Sequence, residues 1–350
     1  MINKQIIQED LENIYNSNID WSKFFNTTVL ITGASGFLPA YLVETLLFIN
    51  SKNKNANIKI IGLVRNLDKA KKRFANYLDN SFLEFLVQDV ISDIKVDSKI
   101  DYVIHAASQA SPKYFGLDPV GTITANVIGT NNLLKLANEK NVKKFLYFSS
   151  SEVYGQVPAE LLPIKESDYG YIDPCNVRSC YSEGKRAGET ICISWKSQFQ
   201  VPIVIVRPFH TYGPGMELND GRVYADFISN IINNQNIEMK SDGSSIRAFC
   251  YIKDATEAFF RVLLYGETGE AYNVGNDLGE SSILELAELL VDMYPEKKLK
   301  VLKIDNTTIG YIASYVSRIS PNVTKIKQIG WEPKTGIREG FFKTINSFKL

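Results

Sequence analysis

Cysteine and histidine are scarce in this chain, and that scarcity excludes several kinds of protein at once. The four cysteines, Cys175, Cys180, Cys192 and Cys250, include no C-x-x-C pair, so they build neither a disulfide scaffold nor a zinc knuckle. Two histidines, His105 and His210, are too few for a zinc cluster, and no metal site is expected. Net charge is absent too, with 39 Lys and Arg against 39 Asp and Glu. A protein that neutralises phosphate backbones or anionic lipid needs a basic surplus, so neither nucleic acid nor membrane is expected as a partner. The longest apolar run, at 41–49, is broken by Glu44 and is too short to cross a bilayer. The first ten residues are mixed and acidic, unlike a secretory leader, and a reduced, cytoplasmic location is expected. What remains is an ordinary globular balance, 45% hydrophobic and 22% charged over 350 residues. That is enough chain for a large core and about two domains.

Ile6, Ile7, Leu11, Ile14 and Tyr15 recur at roughly helical spacing and predict an amphipathic helix within 3–25. From residue 28 the pattern changes. Apolar runs at 29–32, 58–64, 85–87, 102–104, 145–148 and 201–206 read as strands, with helical stretches at 39–48, 68–78, 120–140 and 182–197 between them. Such alternation predicts an α/β fold, a Rossmann-type doubly wound parallel sheet covered on both faces. Past Arg207 the alternation fades, Pro, Gly and Asn become denser up to Asp220, and helices follow at 223–233 and 283–293. The expected organisation is a helical extension at 1–26 and a first domain at 27–207, to which 249–275 returns. A smaller, mostly C-terminal lobe takes 208–248 and 276–350.

Gly33-Ala34-Ser35-Gly36-Phe37-Leu38-Pro39 lies between the first strand and the first helix of that domain. Glycines at such a turn let backbone N–H groups approach a pyrophosphate at a helix N-terminus, so a dinucleotide site is expected here. Pro39 stands at the third glycine position, where it suits the first turn of a helix. At the end of the second strand stands Arg65, where a carboxylate would bind a ribose 2′-hydroxyl and an arginine would accept a 2′-phosphate. NAD is the expected cofactor, and Arg65 leaves NADP open. Asp89, after the third strand, is placed to meet an adenine amino group.

Tyr181 and Lys185 are four apart on a predicted helix and so share a face. A lysine one turn from a tyrosine lowers the phenol pKa and holds a nicotinamide ribose, leaving the phenolate to act as a base for a sugar hydroxyl. Ser149-Ser150-Ser151-Glu152-Val153-Tyr154-Gly155 follows the fifth strand, at the carboxyl end where such sheets carry their sites. Ser150 is the expected hydrogen-bond donor to the reacting oxygen, with Ser151 and Glu152 attending a second, proton-moving step.

Further runs include His105-Ala106-Ala107-Ser108, Asn126-Val127-Ile128-Gly129-Thr130, Arg207-Pro208-Phe209-His210-Thr211-Tyr212-Gly213-Pro214 and Asn273-Val274-Gly275-Asn276. With these the chain from about residue 27 onward resembles the extended short-chain dehydrogenase/reductases of the NAD-dependent epimerase/dehydratase family, which modify nucleotide sugars. Arg178-Ser179-Cys180-Tyr181, Glu183-Gly184-Lys185-Arg186, Ser151 to Gly155 and Asn219-Asp220-Gly221-Arg222-Val223 are most similar to UDP-glucuronate decarboxylases. The resemblance implies cofactor contacts from Ser35, Phe37, Leu38, Val90, Ala106, Ala107, Ser108 and Asn126, besides Gly33, Gly36, Tyr181 and Lys185. It implies a nucleoside-diphosphate sugar as substrate, with Ser111, Lys113, Arg222, Arg247 and Arg318 in its cleft. It also implies a homodimer formed through the Asn126 and Tyr181 helices. Ser150, Pro39, Arg65, His210, Gly215 and Phe115 depart from that family, which usually shows threonine, glycine, an acidic residue, asparagine, arginine and tyrosine there.

The chemistry separates the subfamilies. A 4,6-dehydratase must protonate a departing C6 hydroxyl, and its relatives carry Asp-Glu where this chain has Ser151-Glu152. A decarboxylase needs no such acid, because a C6 carboxylate β to a C4 ketone leaves as CO2. Decarboxylation of UDP-glucuronate is the expected reaction. Dehydration, 4-epimerisation or C4 dehydrogenation of a neutral hexose or heptose nucleotide stay open. So does a non-catalytic nucleotide-binding scaffold, against which the intact Tyr181 and Lys185 pair argues.

Overall fold

The structure is a computed structural model that describes residues 4–304 and 317–348. Residues 1–3 of the expected extension, and 305–316 and 349–350 of the expected C-terminal lobe, lie outside the described residues.

Seven strands form one sheet: β1 (Thr28–Thr32), β2 (Lys59–Val64), β3 (Leu83–Val87), β4 (Tyr102–His105), β5 (Lys144–Phe148), β6 (Ile203–Pro208) and β10 (Ala271–Val274). Their order is β10-β6-β5-β4-β1-β2-β3, and every pairing is parallel. The strand order reverses between β1 and β4, which opens a crevice at their carboxyl ends. Residues 29–32, 102–105 and 145–148 are buried throughout, the near-continuous apolar runs of strands covered on both sides.

Helices α1 (Lys4–Tyr15), α2 (Phe37–Lys52) and α8 (Ile252–Tyr265) pack together; α2 and α8 cover one face of the sheet. On the other face lie α5 (Pro119–Glu139) and α6 (Ser179–Phe199), side by side over Leu30, Val103, Phe145 and Ile203. Pro119 opens α5 behind an Asp118 cap whose carboxylate accepts the Gly121 N–H at 3.0 Å. Short helices α3 (Leu67–Arg73) and α4 (Lys113–Leu117) follow β2 and β4.

The smaller lobe holds a second sheet of β7 (His210–Tyr212), β9 (Ile246–Tyr251), β11 (Glu280–Ser282) and β13 (Arg318–Ile319), and a ribbon of β8 (Ile237–Met239) with β12 (Val301–Lys303). Its core packs α7 (Val223–Ile232), α9 (Ile283–Asp292) and α11 (Ile337–Ser347) around Tyr212, Phe249 and Phe341; α10 (Thr324–Lys327) lies beside β10.

Three expectations change. The helix read across 3–25 ends at Tyr15; Ser17, Asn18 and Asp20 break it, and Asp20 caps a 3₁₀ turn at Trp21–Phe24. The helix read at 68–78 ends at Arg73 and continues as a 3₁₀ turn, Ala75–Tyr77. The stretch 249–275 divides, since β9 pairs within the second sheet while α8 and β10 lie with the first. No helix among the described residues is long and apolar enough to cross a membrane.

Candidate active site

The crevice between β1 and β4 is shaped by one hydroxyl. Thr32 Oγ1 accepts the N–H groups of Ala106 at 3.2 Å and Ala107 at 3.0 Å, and lies 2.9 Å from His105 Nδ1. His105 Nε2 is 3.1 Å from Thr130 Oγ1, so the ring ties β1, β4 and α5 together. Burial, with Lys185 nearby, holds His105 well below its usual pKa and keeps it neutral. Gly33 has φ +65°, and a Cβ there would stand 2.9 Å from Ala107 Cα, so the two loops close on each other only around a glycine. Gly36 caps α2 with no side-chain hydrogen bond. The N–H groups of Phe37 and Leu38 therefore lie in the uncapped first turn, beside Ser35, and Pro39 within that turn has no N–H to satisfy.

These residues fit a dinucleotide: an uncapped helix start at the switch point and a glycine turn with no side chain in the way. Ser108 Oγ and Asn126 Oδ1 add two buried polar atoms with no partner among the described residues. Arg65 and Asp89 meet at the β2 and β3 ends, with Nη1 to Oδ2 at 3.7 Å, and Asp89 also accepts the Ile91 N–H. Val90 packs beneath α5 at Gly129.

Tyr181 and Lys185 lie on the first turns of α6, both buried. Lys185 Nζ donates to Phe148 O at 2.6 Å and sits 5.8 Å from the Tyr181 ring centroid. Burial brings the ammonium down to about 7 and pushes the phenol up to about 12; the expected lowering of the phenol by Lys185 is not found, because burial weakens the ammonium and its Nζ is turned to Phe148 O. A hydrogen bond from Ser150 and the charge of Arg222 pull the phenol back, and the Glu152 carboxylate raises it further. α5 approaches α6 closely because Gly184 has no side chain; a Cβ there would be 3.3 Å from Asn126 Cβ. Ser150 caps the turn at Ser151–Tyr154 by accepting the Glu152 N–H at 3.2 Å, and Ser151 is buried behind it. Glu152 Oε2 is paired with Arg178 Nη1 at 3.3 Å.

The smaller lobe reaches this centre through 219–222. Arg222 Nη1 binds Asp220 at 2.9 Å and Nη2 donates to Ala110 O at 3.3 Å. Ser111 Oγ donates to Asp220 O, and Lys113 Nζ to Asn219 O at 3.4 Å. Thus Ser111, Lys113 and Arg222 clasp the two lobes together, and the charge of Arg222 reaches Tyr181. Arg247 is buried on β9, with Nη1 donating to Ile246 O at 2.8 Å. Arg318, on β13 beside Arg247's strand β9, is ion-paired with Glu280 at 2.8 Å. His210 Nδ1 is buried with no partner among the described residues, and burial with Arg247 and Arg222 nearby brings its pKa to about 3.

Several members escape sequence reasoning. Arg178, expected only as part of a motif, holds Glu152. Arg207 grips Glu189 with two bonds, at 2.8 and 2.6 Å, while Ser149 donates to the same carboxylate. This buried cluster braces the β5 and β6 ends under Ser150. An arginine inside an apolar strand was the available signal. Phe115, expected only as a departure from the family, stacks on Tyr181.

Residues 29–275 match the NAD dependent epimerase/dehydratase family. One relative, UDP-glucuronic acid decarboxylase 6 of Arabidopsis thaliana, is 35% identical over 94% of this chain and 91% of its own length. Among solved structures, the epimerase Mth375 of Methanothermobacter thermautotrophicus superposes with a TM-score of 0.79 at 23% identity, covering 94% of each chain. The UDP-glucuronic acid 4-epimerase of Bacillus cereus, in complex with UDP-glucuronic acid and NAD, gives 0.73 at 23%, covering 92% of this chain and 99% of that one.

Proposed function

Because this chain belongs to the NAD dependent epimerase/dehydratase family, we propose that it decarboxylates UDP-glucuronate through transient oxidation at C4. The observation that carries this reading is the charge around Tyr181. One carboxylate, Glu152, and one guanidinium, Arg222, act on the phenol, and Glu152 is already tied to Arg178. In the turn after β5, Glu152 follows a hydroxyl, Ser151, where a dehydratase would carry an acid for the departing hydroxyl. On this reading Arg222, whose charge reaches Tyr181, would face the substrate's carboxylate.

Bound NAD supplies the acceptor and later donor of one hydride. The chain's own groups do the rest. Tyr181 takes the C4 hydroxyl proton as the carbon is oxidised; Ser150 and Arg222, which pull its pKa down, favour the phenolate, and Lys185 one turn on would hold the nicotinamide ribose. Ser150 donates to the C4 oxygen. With a ketone at C4, the C5–C6 bond breaks, CO2 leaves, and the electron pair passes to C5 and the C4 oxygen. Tyr181 and Ser150 hold that enolate oxygen, and Glu152 handles the proton that C5 takes up. As C4 is reduced again, Tyr181 would give its proton back to the C4 oxygen. Arg247 serves the diphosphate. Arg65, where NADP would need a 2′-phosphate partner, covers the adenosine end with Asp89. A homodimer through α5 and α6 is supported by Val120, Ile128, Ile193 and Phe199, apolar yet exposed on those helices. The site lies in a cytoplasmic enzyme on this reading.

Incubation with UDP-glucuronate and mass analysis tests the reaction: loss of about 44 Da marks decarboxylation and loss of about 18 Da dehydration. An inert uronate beside a neutral sugar nucleotide oxidised at C4 overturns the decarboxylase reading.

A further inference from the structure

We propose that Phe115 is a positioning residue for the base: its ring, stacked on Tyr181, sets the plane of the phenol and keeps water off it. The proposal rests on the reading of Tyr181 as base.

The stack is well defined. Ring centroids are 5.0 Å apart and the planes differ by 17°. Phe115 is 3% exposed, although it sits on the five-residue helix α4 whose Tyr114 and Leu117 are 36% and 78% exposed. One residue of this surface helix is thus turned inward, onto the base. Main chain reinforces side chain, because Cys180 Sγ, next to Tyr181, contacts Phe115 O at 3.9 Å. On its other side the loop is anchored to the smaller lobe by Ser111 to Asp220 O, Lys113 to Asn219 O and Arg222 to Ala110 O. Phe115 is therefore held between α6 and the lobe.

Two physical effects follow. The helix restricts the first torsion of Tyr181, but the second, which turns the ring, is soft. A parallel ring at stacking distance fixes it. Burial is the largest cause of the raised Tyr181 pKa, and Phe115 supplies part of that burial. A phenylalanine does this without a hydroxyl that would itself need a partner beside the phenol. Because Phe115 acts through the Tyr181 ring it stacks on, the effect of its loss is expected on turnover.

The test compares Phe115→Tyr, Phe115→Leu and Phe115→Ala in the full chain with equal cofactor content. Phe115→Tyr keeps the flat ring and should hold kcat within about twofold. Phe115→Leu keeps apolar volume but not the plane, and kcat on UDP-glucuronate should fall on the order of 10- to 100-fold with KM little changed. A second readout needs no substrate. Ultraviolet phenolate titration, with the matching Tyr181→Phe protein subtracted in each background, reports Tyr181 alone. Phe115→Ala should move its midpoint down by about one unit towards the ordinary value near 10. Unchanged kcat in the leucine variant, an unmoved Tyr181 midpoint in the alanine variant, or losses confined to KM overturn the proposal. If the parent protein ignores UDP-glucuronate, the substrate reading fails, and the titration still decides the role of Phe115.

Discussion

Asp10 lies fully buried in α1, where the extension packs on α2, α8 and α11. Its Oδ2 accepts Tyr251 Oη at 2.8 Å and Tyr41 Oη at 3.3 Å, and its Oδ1 has no partner among the described residues. Lys343 and Lys253 favour the charged form from α11 and α8, yet desolvation outweighs them and raises the pKa from 3.8 to about 6. The folded protein therefore prefers the neutral acid. Its stabilising effect is greatest at low pH and declines as pH rises through the window from about 4 to about 6. A difference of about 2.2 units corresponds to about 3 kcal/mol in full, of which about 2 kcal/mol falls between pH ~4.5 and ~7.5. Asp10→Asn keeps an oxygen for Tyr251 and removes the charge. Denaturant unfolding of parent and variant at those two pH values should show the variant gaining about 2 kcal/mol relative to the parent as pH rises. Subtracting parent from variant cancels the other buried acids, such as Glu44. A difference between the two proteins that stays constant with pH would refute the burial argument for Asp10.

Tyr181→Phe should leave cofactor content and the melting curve intact and lower turnover by a factor on the order of 10² to 10⁴; turnover at the parent's rate excludes Tyr181 as base. Glu152→Gln should still allow C4 oxidation but stall afterwards, so that reduced cofactor accumulates and is visible by absorbance; no accumulation places Glu152 before hydride transfer. Arg65→Asp sets a second carboxylate beside Asp89, which lies 3.7 Å from the present guanidinium, and calorimetry should show NADP affinity falling at least roughly tenfold relative to NAD. Equal ratios before and after remove Arg65 from the site. Ile128→Glu on α5 should shift sedimentation from dimer to monomer at micromolar protein, while an unchanged profile places any dimer contact elsewhere.

Local chemistry carried much of this protein. The glycine turn at Gly33, the four-residue step from Tyr181 to Lys185 and the alternation of strands with helices are short-range patterns, each set by backbone geometry over one or two turns. Their relative placement follows from the rule that parallel strands with crossover helices present their carboxyl ends on one side. That is why β1, β4 and β5 bring Gly33, Ala107 and Ser150 to one crevice. Tertiary structure decided what no periodicity marks. Strands β7, β8, β11, β12 and β13 have two or three residues each, too few for a period to show, and they exist only through their partners. The pairing of Glu152 with Arg178, 26 residues apart, and of Phe115 with Tyr181 across α4 and α6 depends on loops that nothing local dictates. Likewise, Ser111, Lys113 and Arg222 read as residues of a substrate cleft, and the fold joins them in a clasp between lobes. Asp10 shows the same division: the spacing of its neighbours predicts a helix, but a carboxylate between two tyrosine hydroxyls arises only when α1 meets α2 and the end of β9. Hydrophobic period and turn chemistry are properties of neighbours in the chain. Burial, and the pKa values it moves, are properties of neighbours in space.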